Sequence, residues 1–169
     1  MAAQRKNSKN RASRSVTKGF SLLELLIVVA VILIIAAIAI PNFIRSKMAA
    51  NEASAVQNLR NITTAEVVYS TTYGISFSTT LVALAGNGVT VDLNNAGLID
   101  PVLGAGTKTG FTYTFTILTQ DAQGHVTGYS LNADPLTATT GTRHFYTDHT
   151  GVIRWNTSAT ASATDAPIQ

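Results

Sequence analysis

The chain has 169 residues, enough for one globular domain and an additional segment outside that domain's core. Hydrophobic residues make up 46% of it and charged residues only 12%, about half the charged fraction usual in soluble globular proteins. The chain has no cysteine, which excludes a disulfide framework and thiolate chemistry.

The net charge of +3 is concentrated at the amino terminus. Six of the twelve basic residues precede Gly19 and no acidic residue does, so the remainder carries six basic and nine acidic residues, a net charge of −3. A folded nucleic-acid-binding surface needs Lys and Arg gathered on one face. Because the six basic residues after Gly19 are spread along the sequence, we predict no contact with nucleic acid.

The first segment, residues 1–19, is a basic leader rich in Lys, Arg, Ser and Asn. Such a composition buries too little apolar surface to fold, so we expect disorder before Gly19. Basic residues that precede an apolar run are retained on the cytoplasmic side of a membrane. The sequence therefore predicts a cytoplasmic amino terminus and a carboxyl-terminal part outside the cytoplasm.

The second segment is an apolar run from Phe20 to Ile40, 21 residues long. As a helix it would span about 31 Å, which matches a hydrocarbon core of about 30 Å and predicts a single membrane span. The alternative is a secretory signal peptide cut after Ala39, because Ala37 and Ala39 fit a small-x-small cleavage pattern and would release a secreted binding module. The run is longer than the apolar region usual in signal peptides.

Glu24 is the one charged residue within this apolar run. A carboxylate inside an apolar membrane helix costs roughly 2.5 to 3.5 kcal/mol, and such residues generally have a function. The alternative interpretation is that Glu24 lies close enough to the helix end to reach the membrane surface cheaply.

The sequence Lys-Gly-Phe-Ser-Leu-Leu-Glu, residues 18–24, resembles the processing site of type IV pilins and of the pseudopilins of type II secretion. In that family a prepilin peptidase cuts after the glycine and methylates the new terminal amine. The resemblance implies cleavage after Gly19 and N-methylation of Phe20. It also implies that Glu24 meets the terminal amine of a neighbouring subunit during assembly.

The same resemblance implies a set of partners and destinations. The subunit would be stored in the lipid bilayer of the inner membrane and then polymerise with copies of itself into a helical homopolymer. An inner-membrane platform protein and an assembly ATPase would drive that step. Both an extracellular pilus filament and a periplasmic pseudopilus remain open, and the lack of the disulfide common in pilins keeps the pseudopilin alternative in contention.

Pro41 follows the apolar run and matches a helix-disrupting proline common in pilins, although it could simply end the membrane span. Residues 42–73 continue as an amphipathic helix, with apolar residues at intervals of three or four that predict one buried face. That face consists of Ala55, Leu59, Ile62, Ala65, Tyr69 and Tyr73. The predicted polar side consists of Asn51, Glu52, Gln57, Asn58, Arg60 and Asn61.

Residues 74–108 form a connecting region with a short helix expected at 78–85 and a turn at 98–101. Residues 109–169 are predicted to be an antiparallel sheet with a flexible carboxyl-terminal tail, because apolar residues alternate from Phe111 to Ile117. Further strands are expected near 126–132, 142–146 and 152–155, with hairpin connections at 121–124 and 148–151. The predicted class is α+β, a long amino-terminal helix packed on an antiparallel sheet, which is also the pilin fold.

No catalytic site and no cofactor are predicted. His144, Asp148 and His149 straddle an expected turn and fit a hairpin tip better than a converging metal site. Calcium, which some pseudopilins bind, is retained as an alternative because four aspartates lie in the carboxyl-terminal half, although none belongs to a dense ligand loop. These are Asp92, Asp100, Asp121 and Asp134. No Gly-x-Ser-x-Gly nucleophile motif is present, so no enzyme is predicted.

Overall fold

The computed structural model describes residues 19–74, 76–88 and 91–168, so the predicted disorder of the leader concerns residues outside the described chain. The described chain contains a long helix, two short helices and one antiparallel sheet, which confirms the predicted α+β class. The helices are α1 (Leu22–Tyr73), α2 (Leu81–Ala85) and α3 (Pro101–Gly104). The strands are β1 (Thr107–Lys108), β2 (Phe111–Gln120), β3 (Val126–Pro135), β4 (His144–Asp148), β5 (Arg154–Asn156) and β6 (Ala166–Pro167).

Helix α1 contains 52 residues and continues through Pro41, where the chain divides into two compact units. In the described part of the first unit, residues 19–40, every large apolar side chain is exposed. Helix α1 is long and apolar enough to cross a membrane, and no residue of its most apolar window is buried. The apolar surface of this unit therefore requires cover by lipid or by other protein.

In the second unit, helix α1 buries the face that its periodicity predicts. Leu59 and Ile62 have no exposed surface, whereas Tyr73 at the helix end is only half-buried. Tyr69 is buried with its hydroxyl donating to the carbonyl of Leu93 at 2.8 Å. The helix extends to Tyr73 as predicted.

Two residues assigned to the polar side of α1 are buried instead, so that assignment was wrong for them. Glu52 and Asn58 are only 7% and 4% exposed. The Asn58 side-chain amide donates to the Tyr113 hydroxyl at 2.8 Å, which allows both polar groups to lie in the core. Glu52 precedes Ala55 by three residues and so belongs to the buried face by position, whatever its charge.

The sheet is a meander in which each strand pairs antiparallel with the next along the chain. Its inner residues pack against the buried face of α1 and include Phe111, Tyr113, Leu131, Ala133 and Phe145. The predicted alternation in β2 is correct for its first half only. Ile117 is 38% exposed, the rest of β2 after it is exposed as well, and the pairing of β2 with β3 shifts register directly after Ile117.

Both predicted hairpin connections are present. The Asp121 carboxylate accepts from the backbone N–H of Gln123 and His125, and Gly124 has a φ of 86°. Asp148 accepts from the Thr150 N–H at 2.9 Å in the next connection. In both turns an aspartate replaces a backbone acceptor, as expected from the sequence.

The region predicted as a connection contains both short helices, and the sheet begins at β1, before residue 109. The predicted turn at 98–101 is the start of α3, because Asp100 caps the Leu103 N–H at 3.0 Å and Pro101 occupies the first helical position. Near the carboxyl terminus, the Asn132 side-chain amide donates to the Ala161 carbonyl at 2.7 Å. Part of the predicted flexible tail is therefore bound to the sheet.

Glu66 is a fully buried carboxylate on the inner face of α1. Its Oε2 accepts from the Ser78 N–H at 2.8 Å and its Oε1 from the Ser78 hydroxyl at 2.6 Å. Burial raises the pKa of Glu66, and the two hydrogen bonds from Ser78 oppose that rise. Glu66 thereby links α1 to the segment that follows it.

The substitution Glu66→Gln is expected to change how the stability of the folded second unit depends on pH. Because the folded pKa of Glu66 is raised, its contribution to stability is full below the unfolded pKa of about 4.5 and is lost as pH rises through the folded pKa. The free energy of unfolding of the original chain should therefore decline over that range more steeply than that of the variant. Denaturant titrations in detergent, followed by Trp155 fluorescence, measure this. Identical pH slopes would contradict the assignment.

Candidate processing and assembly site

Gly19 and Phe20 precede the first residue of α1 and lie outside the helix. Phe20 is 86% exposed. A Cβ placed on Gly19 would meet no described atom within 4 Å, and the residue does not have the positive φ that favours glycine. The described fold therefore gives no reason for glycine at this position, which is consistent with an external requirement such as approach of a peptidase.

Glu24 and Ser21 form a capping box at the start of α1. The Glu24 Oε2 accepts from the Ser21 N–H at 2.8 Å, and the Ser21 hydroxyl accepts from the Leu23 N–H at 3.3 Å. These reciprocal bonds satisfy two of the backbone donors that a helix start leaves without partners. A negative side chain in the first turn also interacts favourably with the helix dipole. Glu24 thus has a structural partner in its own chain.

This arrangement places the Glu24 carboxylate beside the position where cleavage would create a charge. One carboxylate oxygen is bonded to the amide of Ser21, the residue next to Phe20. A terminal ammonium on Phe20 at about 4 Å from the carboxylate would attract it by roughly 4 kcal/mol at an effective dielectric of about 20. Desolvation offsets part of that attraction. Between neighbouring subunits, such a pair would therefore fix their relative position more than it would stabilise their association.

The sequence analysis did not identify Ser21 as the residue that caps α1. The signal that could have found it is the Ser-x-x-Glu pattern of residues 21–24, which stands directly before an apolar run. The interpretation that Glu24 lies near the helix end agrees with the structure, because Glu24 is the third helical residue.

Pro41 lies inside α1 rather than at its end. Proline has no backbone N–H, so the carbonyl four residues earlier lacks its usual helical donor. Shortly after it, the Ser46 hydroxyl donates to the Asn42 carbonyl at 3.0 Å, a contact that competes with regular helical bonding. Loosening of the helix at Pro41 remains a prediction.

The side chains of His144, Asp148 and His149 do not converge on a common metal position. His144 Nδ1 pairs with Asp134 Oδ1 at 2.5 Å, Asp148 accepts from Thr150, and the His149 ring lies 6.5 Å from that of Phe77. The remaining candidate calcium ligands, Asp92, Asp100 and Asp121, also have separate local partners. Within 19–74, 76–88 and 91–168, no three His, Cys, Asp or Glu side chains are grouped as a metal site.

Comparison of the sequence with known proteins finds two similarities. The family described as "Prokaryotic N-terminal methylation motif" matches residues 14–40, a range that contains Gly19, Phe20, Glu24 and the apolar run. The matched range includes the capped start of the apolar helix.

The second likeness is to the type IV major pilin protein PilA of Myxococcus xanthus (strain DK1622). The two chains are 46% identical over 66 residues, which make up 39% of this chain and 27% of the relative. The match thus spans about a quarter of the relative's length. Together with the methylation motif, this match makes part of the chain similar to a type IV pilin.

The capping role of Ser21 can be tested by comparing Ser21→Ala with Ser21→Thr. Removal of a capping hydroxyl usually costs about 0.5 to 2 kcal/mol of helix stability, whereas threonine keeps the acceptor. Amide hydrogen exchange of residues 22–25, measured by NMR on the full chain in micelles, should accelerate in Ser21→Ala and change little in Ser21→Thr. Equal exchange in the two variants would show that the hydroxyl does not hold the helix start.

Proposed function

We propose that the chain is the precursor of a structural subunit of a type IV pilus or related filament. A prepilin peptidase cuts it after Gly19, the new amine of Phe20 is methylated, and the processed subunit polymerises through its amino-terminal helix. The observation that carries this proposal is the methylation motif at the start of an apolar helix whose most apolar window is wholly unburied.

The exposed apolar surface supports storage in a membrane before assembly. The large apolar side chains of the described first unit remain about half or more exposed, for example Leu26 at 59% and Ile34 at 64%. Such a surface in water would aggregate, so it must lie in lipid or among copies of itself. The proposed order is therefore insertion with the leader in the cytoplasm, processing, and transfer of the helix from lipid into a filament core.

Transfer out of the bilayer needs an energy source and a guide. The proposed partners are an assembly ATPase and an inner-membrane platform protein, with further copies of the chain as the principal contact. No cofactor and no enzymatic step are assigned to the subunit. The likeness to a protein named as a major pilin favours a surface pilus over the pseudopilus of type II secretion.

The first test is the amino terminus of the mature protein. Mass spectrometry of the chain from membranes or fibres should find a methylated amino-terminal Phe20, and Gly19→Leu should leave the leader attached. Because the described fold makes no use of glycine at this position, loss of processing in Gly19→Leu would reflect the peptidase and not misfolding. A mature chain beginning at Ile40 would contradict the proposal and support the signal-peptide alternative.

The second test separates the charge of Glu24 from its capping role. Glu24→Gln retains a side chain able to complete the capping box but removes the anion that would pair with an amine. Ser21→Ala weakens the box and keeps the anion. We expect both variants to be cleaved, and we expect Glu24→Gln alone to fall by at least about tenfold in fibre incorporation, the equivalent of about 1.4 kcal/mol.

Electron microscopy and immunoblotting of sheared surface fibres measure that incorporation. Equal loss of fibres in Glu24→Gln and Ser21→Ala would show that helix capping, and not charge pairing, is required. Fibres that remain confined to the periplasm in the original strain would favour the pseudopilus alternative.

A further inference from the structure

The segment of α1 that follows Pro41 is exposed on every side. Residues 41–47 are all exposed, and Phe43 is 70% exposed. Phe43, Arg45 and Lys47 follow the last residue of the apolar run by three, five and seven positions. An aromatic residue and two cations therefore come directly after a run long enough to span a bilayer.

The acidic residue nearest to these two cations in the sequence, Glu52, is buried and paired with Arg143. Between Glu24 and Glu52 the only charged residues are Arg45 and Lys47. Across the part of the chain that the structure describes, the ion pairs involve other cations, with Lys108 bound to Asp100 and Arg143 to Glu52. The segment thus presents a net charge of two positive units without internal neutralisation.

The arrangement of these side chains fits a layer of lipid headgroups around the helix better than a groove on a partner protein. At 3.6 residues per turn, Arg45 lies about 200° round the helix from Phe43, and Lys47 lies about 40° from it. The two cations therefore point to nearly opposite sides of α1. A single docked protein would contact one side, whereas a layer of lipid headgroups surrounds the helix completely.

We propose that Phe43, Arg45 and Lys47 form a collar that binds anionic phospholipid headgroups at the outer face of the membrane in which the precursor is stored. The inference rests on the proposed membrane storage and adds to it a lipid partner and a binding surface. A phenylalanine ring can bury its apolar surface at the boundary between headgroups and acyl chains, and long cationic side chains extend to lipid phosphates. Anionic lipids attract such juxtamembrane cations, and salt weakens the attraction.

The test uses the full chain in phosphatidylcholine vesicles that contain a minority of phosphatidylglycerol. Each of these lipids is supplied in turn as a probe with the same photoreactive group on its acyl chain beside the glycerol, and cross-links are mapped by mass spectrometry to residues 41–50. We expect the phosphatidylglycerol probe to give at least about fivefold more cross-linking there than the phosphatidylcholine probe. Site-resolved mapping keeps cross-links to the basic leader separate.

Arg45→Gln/Lys47→Gln should bring the ratio of the two probes close to one, as should high salt. Arg60→Gln is the matched control, because Arg60 is an exposed cation further along the same helix, and it should leave the ratio unchanged. Equal yields from both probes with the original, inserted chain would overturn the lipid collar alone. Failure of the chain to insert into the vesicles would overturn membrane storage as well as the collar.

Discussion

The contact on which the second unit depends is the packing of one face of α1 against the sheet. That face is not purely apolar, because Glu52 and Glu66 lie on it between alanine, leucine and isoleucine side chains. Each carboxylate is buried and bonded to backbone N–H groups of a different segment, Glu66 to Ser78 and Glu52 to Thr142. The helix therefore supplies both the apolar cover of the sheet and fixed attachment points for two loops.

The loop between β3 and β4 shows how tightly one of these attachments is made. Glu52 Oε1 accepts from the backbone N–H of Thr142 and Arg143, and Glu52 Oε2 pairs with Arg143 Nε at 3.0 Å. A Cβ on Gly141 would approach the Phe111 ring to 2.7 Å, so any larger residue there would require this buried ring to shift. In a chain without cysteine, such polar contacts hold the loops that a disulfide could otherwise fix.

The sequence predicted most of the architecture because its signals were periodic. Apolar spacing of three or four located the inner face of α1, and alternation located β2. The errors on α1 fell where polar residues are buried: Glu52 and Asn58 were placed on the solvent side because charged and amide groups usually lie there. Their partners, Thr142 and Tyr113, are 90 and 55 residues away, so no local pattern could reveal them.

The candidate site was predicted from a short motif and not from periodicity. Gly19 and Phe20 came from the resemblance and Glu24 first from its charge within the apolar run, whereas the bond between Glu24 and Ser21 came from the structure. The strand order carries a separate consequence for how the protein is made. Because each strand pairs with its sequence neighbour, the sheet can grow one strand at a time along the chain. Such local pairing favours fast folding, because little loop-closure entropy is lost before each new strand pairs.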